Sequence, residues 1–144
     1  MKLSTKSRYG TRAMAEIAKR YQSEPIKRKE ITETQFIPDS YLENILVSLK
    51  ESGLIRTIRG ARGGYQLSRS PGEITILQIV ESLEGPLRPV PCVDPAYVCK
   101  LQSSCVTQSI WEEMYQSMRK VLKQYTLEDL ISRSSAASYQ DFMI

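Results

Sequence analysis

Tyr9, Ala13, Ile17 and Tyr21 recur at steps of four, with Met14 and Ala18 beside them, so one apolar stripe runs along a helix predicted over residues 9–21. A shorter helix is predicted over 27–34. After Phe36-Ile37-Pro38, a third helix opens at Asp39, where Ser40 and Glu43 have capping-box spacing. Its buried stripe is Tyr41, Leu42, Ile45, Leu46 and Leu49, and Gly53 closes it, where a left-handed residue is cheapest. The short link between the second and third helices matches a helix-turn-helix.

Two strand-like runs, 54–58 and 65–67, flank Arg59-Gly60-Ala61-Arg62-Gly63-Gly64, which predicts a hairpin. Three helices followed by a hairpin predict a mainly α fold with a small β-hairpin wing, a winged helix-turn-helix. A fourth helix is expected over 75–83, with Thr75 and Gln78 at capping-box spacing and Gly85-Pro86 as terminator. Residues 85–105 hold four prolines and no periodicity, so this loop is expected to be functional or disordered. A long helix over 107–125 places Trp111, Met114, Met118, Val121 and Tyr125 at alternating steps of three and four, a coiled-coil-like seam. The seam is expected to pair with a second copy of the chain, the alternative being to pack on its own domain. A short helix over 126–131 and a loosely ordered serine-rich tail over 132–138 complete the pattern. The expected division is therefore 1–84, a DNA-binding domain; 85–106, a cysteine loop; and 107–144, a dimerisation helix and tail.

Charge sharpens this picture. Residues 1–70 carry 14 Lys and Arg against 7 Asp and Glu, whereas 71–144 carry 6 against 9, so the overall +4 divides into +7 and −3. A basic N-terminal half suits phosphate, and Lys2, Lys6, Arg8, Arg12, Lys19 and Arg20 line the lead and polar face of the first helix. A major-groove helix reads bases mainly through its N-terminal residues. Ser40 and Tyr41 can donate to phosphate, Asn44 can pair with adenine, and Glu43 can accept from cytosine N4 or cap its own helix. Lys50 lies further along the same helix. Arg59 and Arg62 at the hairpin tip suit the groove edge or backbone of DNA. No apolar run reaches the length of a membrane span or a signal-peptide core, and the chain is expected to be cytoplasmic with no membrane partner.

The 144 residues contain no histidine, which removes the usual Ser-His and Cys-His nucleophile pairs, and no phosphate-binding nucleotide loop; an enzyme is not expected. All three cysteines, Cys92, Cys99 and Cys105, fall within 14 residues. Their wide spacing differs from structural zinc sites, whose paired ligands lie two to four residues apart. Iron-sulfur clusters take thiolate ligands and tolerate wider spacing, while free thiols and reversible disulfide switching stay open. Three thiolates leave one place to fill, for which Gln108, Thr107, Asp94, a partner-chain group or a small exogenous molecule are candidates.

Met1-Lys2-Leu3-Ser4-Thr5-Lys6, Arg8-Tyr9, Ser40-Tyr41-Leu42-Glu43, Gly53-Leu54, Arg59-Gly60 and Gly63-Gly64-Tyr65 resemble the signature stretches of the Rrf-type winged-helix regulators. That family includes IscR-like iron-sulfur regulators and CymR-like cysteine-metabolism repressors, and the resemblance spans nearly the whole chain. It implies a homodimer on a roughly palindromic double-stranded DNA operator, with the helix after Thr107 crossing to the partner. It also implies that Cys92, Cys99 and Cys105 ligate a cluster, either 2Fe-2S or 4Fe-4S. IscR-like members place a histidine three residues after the last cysteine, where this chain has Gln108. Nitric-oxide-sensing relatives use an acidic residue near the N-terminus of the partner chain, where the matching region here has Arg8. Ile79-Val80-Glu81 and Leu83-Glu84-Gly85-Pro86 resemble the cysteine-metabolism branch, which implies the alternative of a cluster-free repressor controlled by a partner enzyme or by thiol oxidation.

Overall fold

The computed structural model describes residues 3–141; Met1 and Lys2, part of the opening motif and of the basic lead, lie outside the described residues. The elements run α1 (Thr5–Lys19), α2 (Arg28–Gln35), α3 (Asp39–Glu51), β1 (Ile55–Ile58), β2 (Gly64–Leu67), α4 (Ile76–Glu84), α5 (Gln108–Gln124) and α6 (Leu127–Asp141). Single 3-10 turns lie at Pro71–Glu73 and Pro91–Val93. Six helices and one antiparallel hairpin, registered Ile55 with Leu67 and Ile58 with Gly64, make the winged helix-turn-helix that the pattern predicts.

Local chemistry sets the boundaries. The Ser4 hydroxyl caps α1 by accepting from the amides of Lys6 (3.1 Å) and Ser7 (3.4 Å). α1 stops at Lys19, so Tyr21 stands beyond the helix, exposed. Phe36, in the left-handed conformation, ends α2, and Pro38 starts α3 one residue ahead of Asp39. Gly53 takes a φ of +74° after α3, the backbone role expected of it. At α4 the expected capping box forms: the Gln78 amide donates to the Thr75 hydroxyl and the Thr75 amide to Gln78 Oε1.

The core is built from Ala13, Met14 and Ile17 of α1, Leu42, Ile45, Leu46 and Leu49 of α3, and Leu77, Ile79 and Val80 of α4. Gly10 lets α1 and α4 close on one another: a Cβ there would stand 2.2 Å from Leu83 Cδ1. The wing is pinned to the lead of α2, because Tyr65 donates to the Ile26 carbonyl (2.8 Å) and Ile26 donates to the Tyr65 carbonyl (3.1 Å).

Three expectations need correction. Tyr41, expected in the buried stripe of α3, is 39% exposed, because it lies one position off the Leu42, Ile45, Leu46 and Leu49 face. Residues 132–138 are not a loose tail but lie within α6. A Thr126–Asp129 capping arrangement starts this helix, Leu127 is wholly buried in the core, and alanines and serines continue it; the Ser132 and Ser135 hydroxyls turn back onto the carbonyls of Glu128 and Ile131. Ser40 and Glu43 form no capping box either, because α3 begins at Asp39 and places both residues inside the helix. Among the described residues no helix is long and apolar enough to cross a membrane.

Candidate functional site

With Leu42, Ile45, Leu46 and Leu49 buried, α3 turns Ser40, Tyr41, Glu43, Asn44, Val47 and Lys50 outward. The Asn44 amide rests on the Ser40 carbonyl at 3.2 Å, a weak internal contact that a base edge could replace. Glu43 is held by α2: Arg28 Nη1 lies 2.9 Å from Glu43 Oε1, and Arg28 Nε lies 2.9 Å from Asp39 Oδ1. One guanidinium thus holds two carboxylates at the start of α3, a role that no local spacing announces. Tyr41 packs edge-on against Tyr9, ring centroids 5.6 Å apart, and Arg12 stands over the Tyr9 ring at 5.7 Å. This contact brings the start of α1, with Lys6 and exposed Arg8, beside the start of α3.

In the wing, exposed Arg59 forms no ion pair among the described residues, and Arg62 reaches Glu24 only loosely, at 3.8 Å with both side chains well solvated. Such a pair contributes little and leaves the guanidinium available for phosphate.

Residues 86–107 form an ordered chain of turns. Val93 is buried, Arg88 and Asp94 pair at 2.6 Å, and amides of Asp94, Tyr97 and Ser104 close successive turns at 2.9 Å. These turns bring all three thiols, unpaired and half-buried, to the wall of one cavity lined by Cys92, Tyr97, Cys99, Gln102, Cys105 and Gln108. Of the residues considered for a fourth place, Gln108 lines this cavity. Asp94 is engaged by Arg88 and by the Ala96 amide instead, and the Thr107 hydroxyl lies 3.4 Å from Cys105 Sγ. Bonds from the Thr107 hydroxyl, and from the Thr107 and Gln108 amides at the start of α5, hold the Cys105 thiol below its ordinary range. Among the described residues no three His, Cys, Asp or Glu side chains are gathered closely enough for a single metal ion. Tyr97 and Gln102 escaped the sequence pattern because only loop folding brings them to the thiols.

A second contact missed from sequence joins the end of α4, where the cysteine loop begins, to α1. Glu84, the last residue of α4, accepts from the Ser4 amide at 3.1 Å, from the Ser4 hydroxyl, and from the hydroxyl of buried Ser7 at 2.5 Å. The Ser4 and Ser7 hydroxyls hold the Glu84 carboxyl below the usual carboxylate range. Glu84 lies 80 residues from Ser4 and 77 from Ser7 in the chain.

The family model described as "Rrf2: Iron-dependent Transcriptional regulator" matches residues 3–133. Protein rrf2 of Nitratidesulfovibrio vulgaris is 37% identical over 135 residues, covering 94% of this chain and 90% of that protein. The structure of CymR, described as the global cysteine regulator of B. subtilis, superposes with a TM-score of 0.78 at 36% identity, covering 92% of this chain and 98% of that one. IscR of T. potens superposes equally well, with a TM-score of 0.78 at 34% identity, covering 95% and 90%.

Proposed function

The chain belongs to the Rrf2 family of transcriptional regulators, and on that premise we propose that it binds its operator as a homodimer through α3 and the wing, under the control of an iron-sulfur cluster held by Cys92, Cys99 and Cys105. It is a DNA-binding transcription regulator, not an enzyme. The cluster assignment rests on one observation, the shared cavity of the three thiols. Thiolates are the usual protein donors to iron-sulfur clusters, and here three of them line one cavity. Gln108 offers an amide oxygen for the remaining place. A bound cluster would supply an iron- and redox-responsive charge to the loop. The chain's own part is to transmit the order of that loop: α4 enters it at Glu84, which grips Ser4 and Ser7 at the start of α1, and α5 leaves it at Gln108. A change in loop order would therefore act on the placement of the basic lead and on the spacing of paired recognition helices.

Anaerobic reconstitution with ferrous iron and sulfide tests the assignment. The expected product is brown with thiolate-to-iron absorption, and alanine at any one cysteine abolishes it or makes it far more labile. With Gln108→Ala, a changed spectrum and faster decay in air are expected if the amide ligates. A colourless, metal-free protein would overturn the assignment. It would favour the second hypothesis, a cluster-free regulator like CymR governed by a partner enzyme or by thiol oxidation. The similarity to CymR favours that alternative. Mass spectrometry after mild oxidation would then find a disulfide among the three thiols.

A further inference from the structure

Ser40, Glu43, Asn44 and Val47 occupy one exposed line of α3, spaced i, i+3, i+4 and i+7. A helix lying along the major groove presents this set to base edges. Three of the four are polar and match donors or acceptors. The fourth, Val47, is 50% exposed and lies outside the hydrophobic core. Its methyl groups take no part in that core among the described residues, and a β-branched residue is a poor choice for an exposed helical position. Its χ1 is nevertheless nearly fixed in a helix, so the two methyls form a rigid apolar knob amid polar neighbours.

The thymine C5-methyl is the distinctive apolar feature of base edges in the major groove. We infer that Val47 is a specificity-determining residue that packs its methyls on the C5-methyl of a thymine in each operator half-site. This rests on α3 being the recognition helix. Val47 lies about 4.5 Å further along the helix axis than Asn44, which places the thymine roughly one base step from the pair that Asn44 reads.

Sites selected from randomised duplex DNA by the full-length chain, as isolated, supply the probe. Deoxyuridine in place of each thymine then removes one methyl at a time and leaves the hydrogen-bonding edge unchanged. At one thymine per half-site the wild type should lose roughly fourfold in affinity, the effect of one buried methyl-sized group. Val47→Ala should bind thymine and deoxyuridine there alike, whereas Val47→Thr, which keeps one methyl, should retain part of the discrimination. Equal discrimination by wild type and Val47→Ala, or no methyl-sensitive thymine, would overturn the proposal. A wild-type preference for 5-methylcytosine over thymine at that step would also overturn it. Selection with Asn44→Ala separates the two levels. If that variant relaxes its preference while deoxyuridine has no effect in the wild type, the Val47 assignment alone fails; a consensus unchanged when Ser40, Glu43 and Asn44 are all replaced by alanine removes α3 as the reading helix, and the proposal with it.

Discussion

Arg28 stands between Asp39 and Glu43 at 2.9 Å from each, and all three side chains are at least one-third exposed. Solvated pairs of this kind stabilise a fold by about 1 kcal/mol or less. If α3 faces DNA as proposed, an unpaired carboxylate there would be repelled by the phosphates. Arg28→Met is therefore expected to change the melting temperature little, to weaken operator binding at low salt, and to alter base preference only at the step facing Glu43. If Glu43→Ala in the same background does not abolish that altered preference, Arg28 does not act through Glu43. Glu84 is also exposed, but one of its partners, the Ser7 hydroxyl, is buried with Ser7 at 2% exposure and loses its acceptor when the carboxylate is removed. Glu84→Ala should cost on the order of 1 kcal/mol or more at neutral pH. A carboxyl with its pKa lowered on folding stabilises the fold above its unfolded pKa, and this contribution is lost as pH falls through the folded value. Denaturation curves of the wild type should thus lose stability below the ordinary carboxylate range, and those of Glu84→Ala should lose less across the same window.

Between elements, close approach matters more than capping. The hairpin meets the lead of α2 where a Cβ on Gly64 would lie 2.4 Å from the Ile26 carbonyl oxygen, a backbone atom with no rotamer to yield. Gly64→Ala should break the Ile26–Tyr65 bridge and destabilise the fold by roughly 1–3 kcal/mol. Calorimetry reads that loss, and an unchanged melting temperature would mean that the wing does not need this bridge. Sequence patterning made α1, α3, the hairpin, α4 and α5 legible, because each carries an apolar period and Thr75–Gln78 capping is local. It misled at Ser40 and Glu43, where the same spacing falls inside a helix already begun by Pro38. The length of α6 was hidden because serine and alanine carry no apolar stripe, while its start depends on Leu127 entering a core built by distant residues. The thiol set was legible as a cluster of like residues. Its cavity partners, and the clamps of Arg28 and Glu84, join residues whose separation leaves no local signal.

Among the described residues, α5 leaves much of its apolar side uncovered by its own chain. Met118 and Leu122 pack towards the core, whereas Ile110, Met114 and Val121 are exposed, by 56%, 38% and 52%. Leu3 joins Met114, Met118 and Val121 around an apolar groove. The expected seam is thus divided: an aspartate at Met118 would disturb the chain's own core, and Val121 is the cleaner probe of pairing between copies. In a homodimer Val121→Asp would bury an unpaired charge at the interface, at a cost on the order of 3 kcal/mol or more, while the isolated fold keeps the carboxylate in water. The variant should sediment as a folded monomer, with helical content unchanged. Its DNA binding follows from the charge division, since the +7 of residues 1–70 lies in the half that contains α3 and the wing. Each copy contributes its own phosphate contacts, so a monomer should show roughly half the wild-type slope of log affinity against log salt concentration. Losing the tethered second half-site should also lower affinity for a two-fold operator by about a hundredfold or more. A Val121→Asp protein that stays dimeric, or a monomer that keeps the full salt slope, would show that α5 does not join the two reading heads.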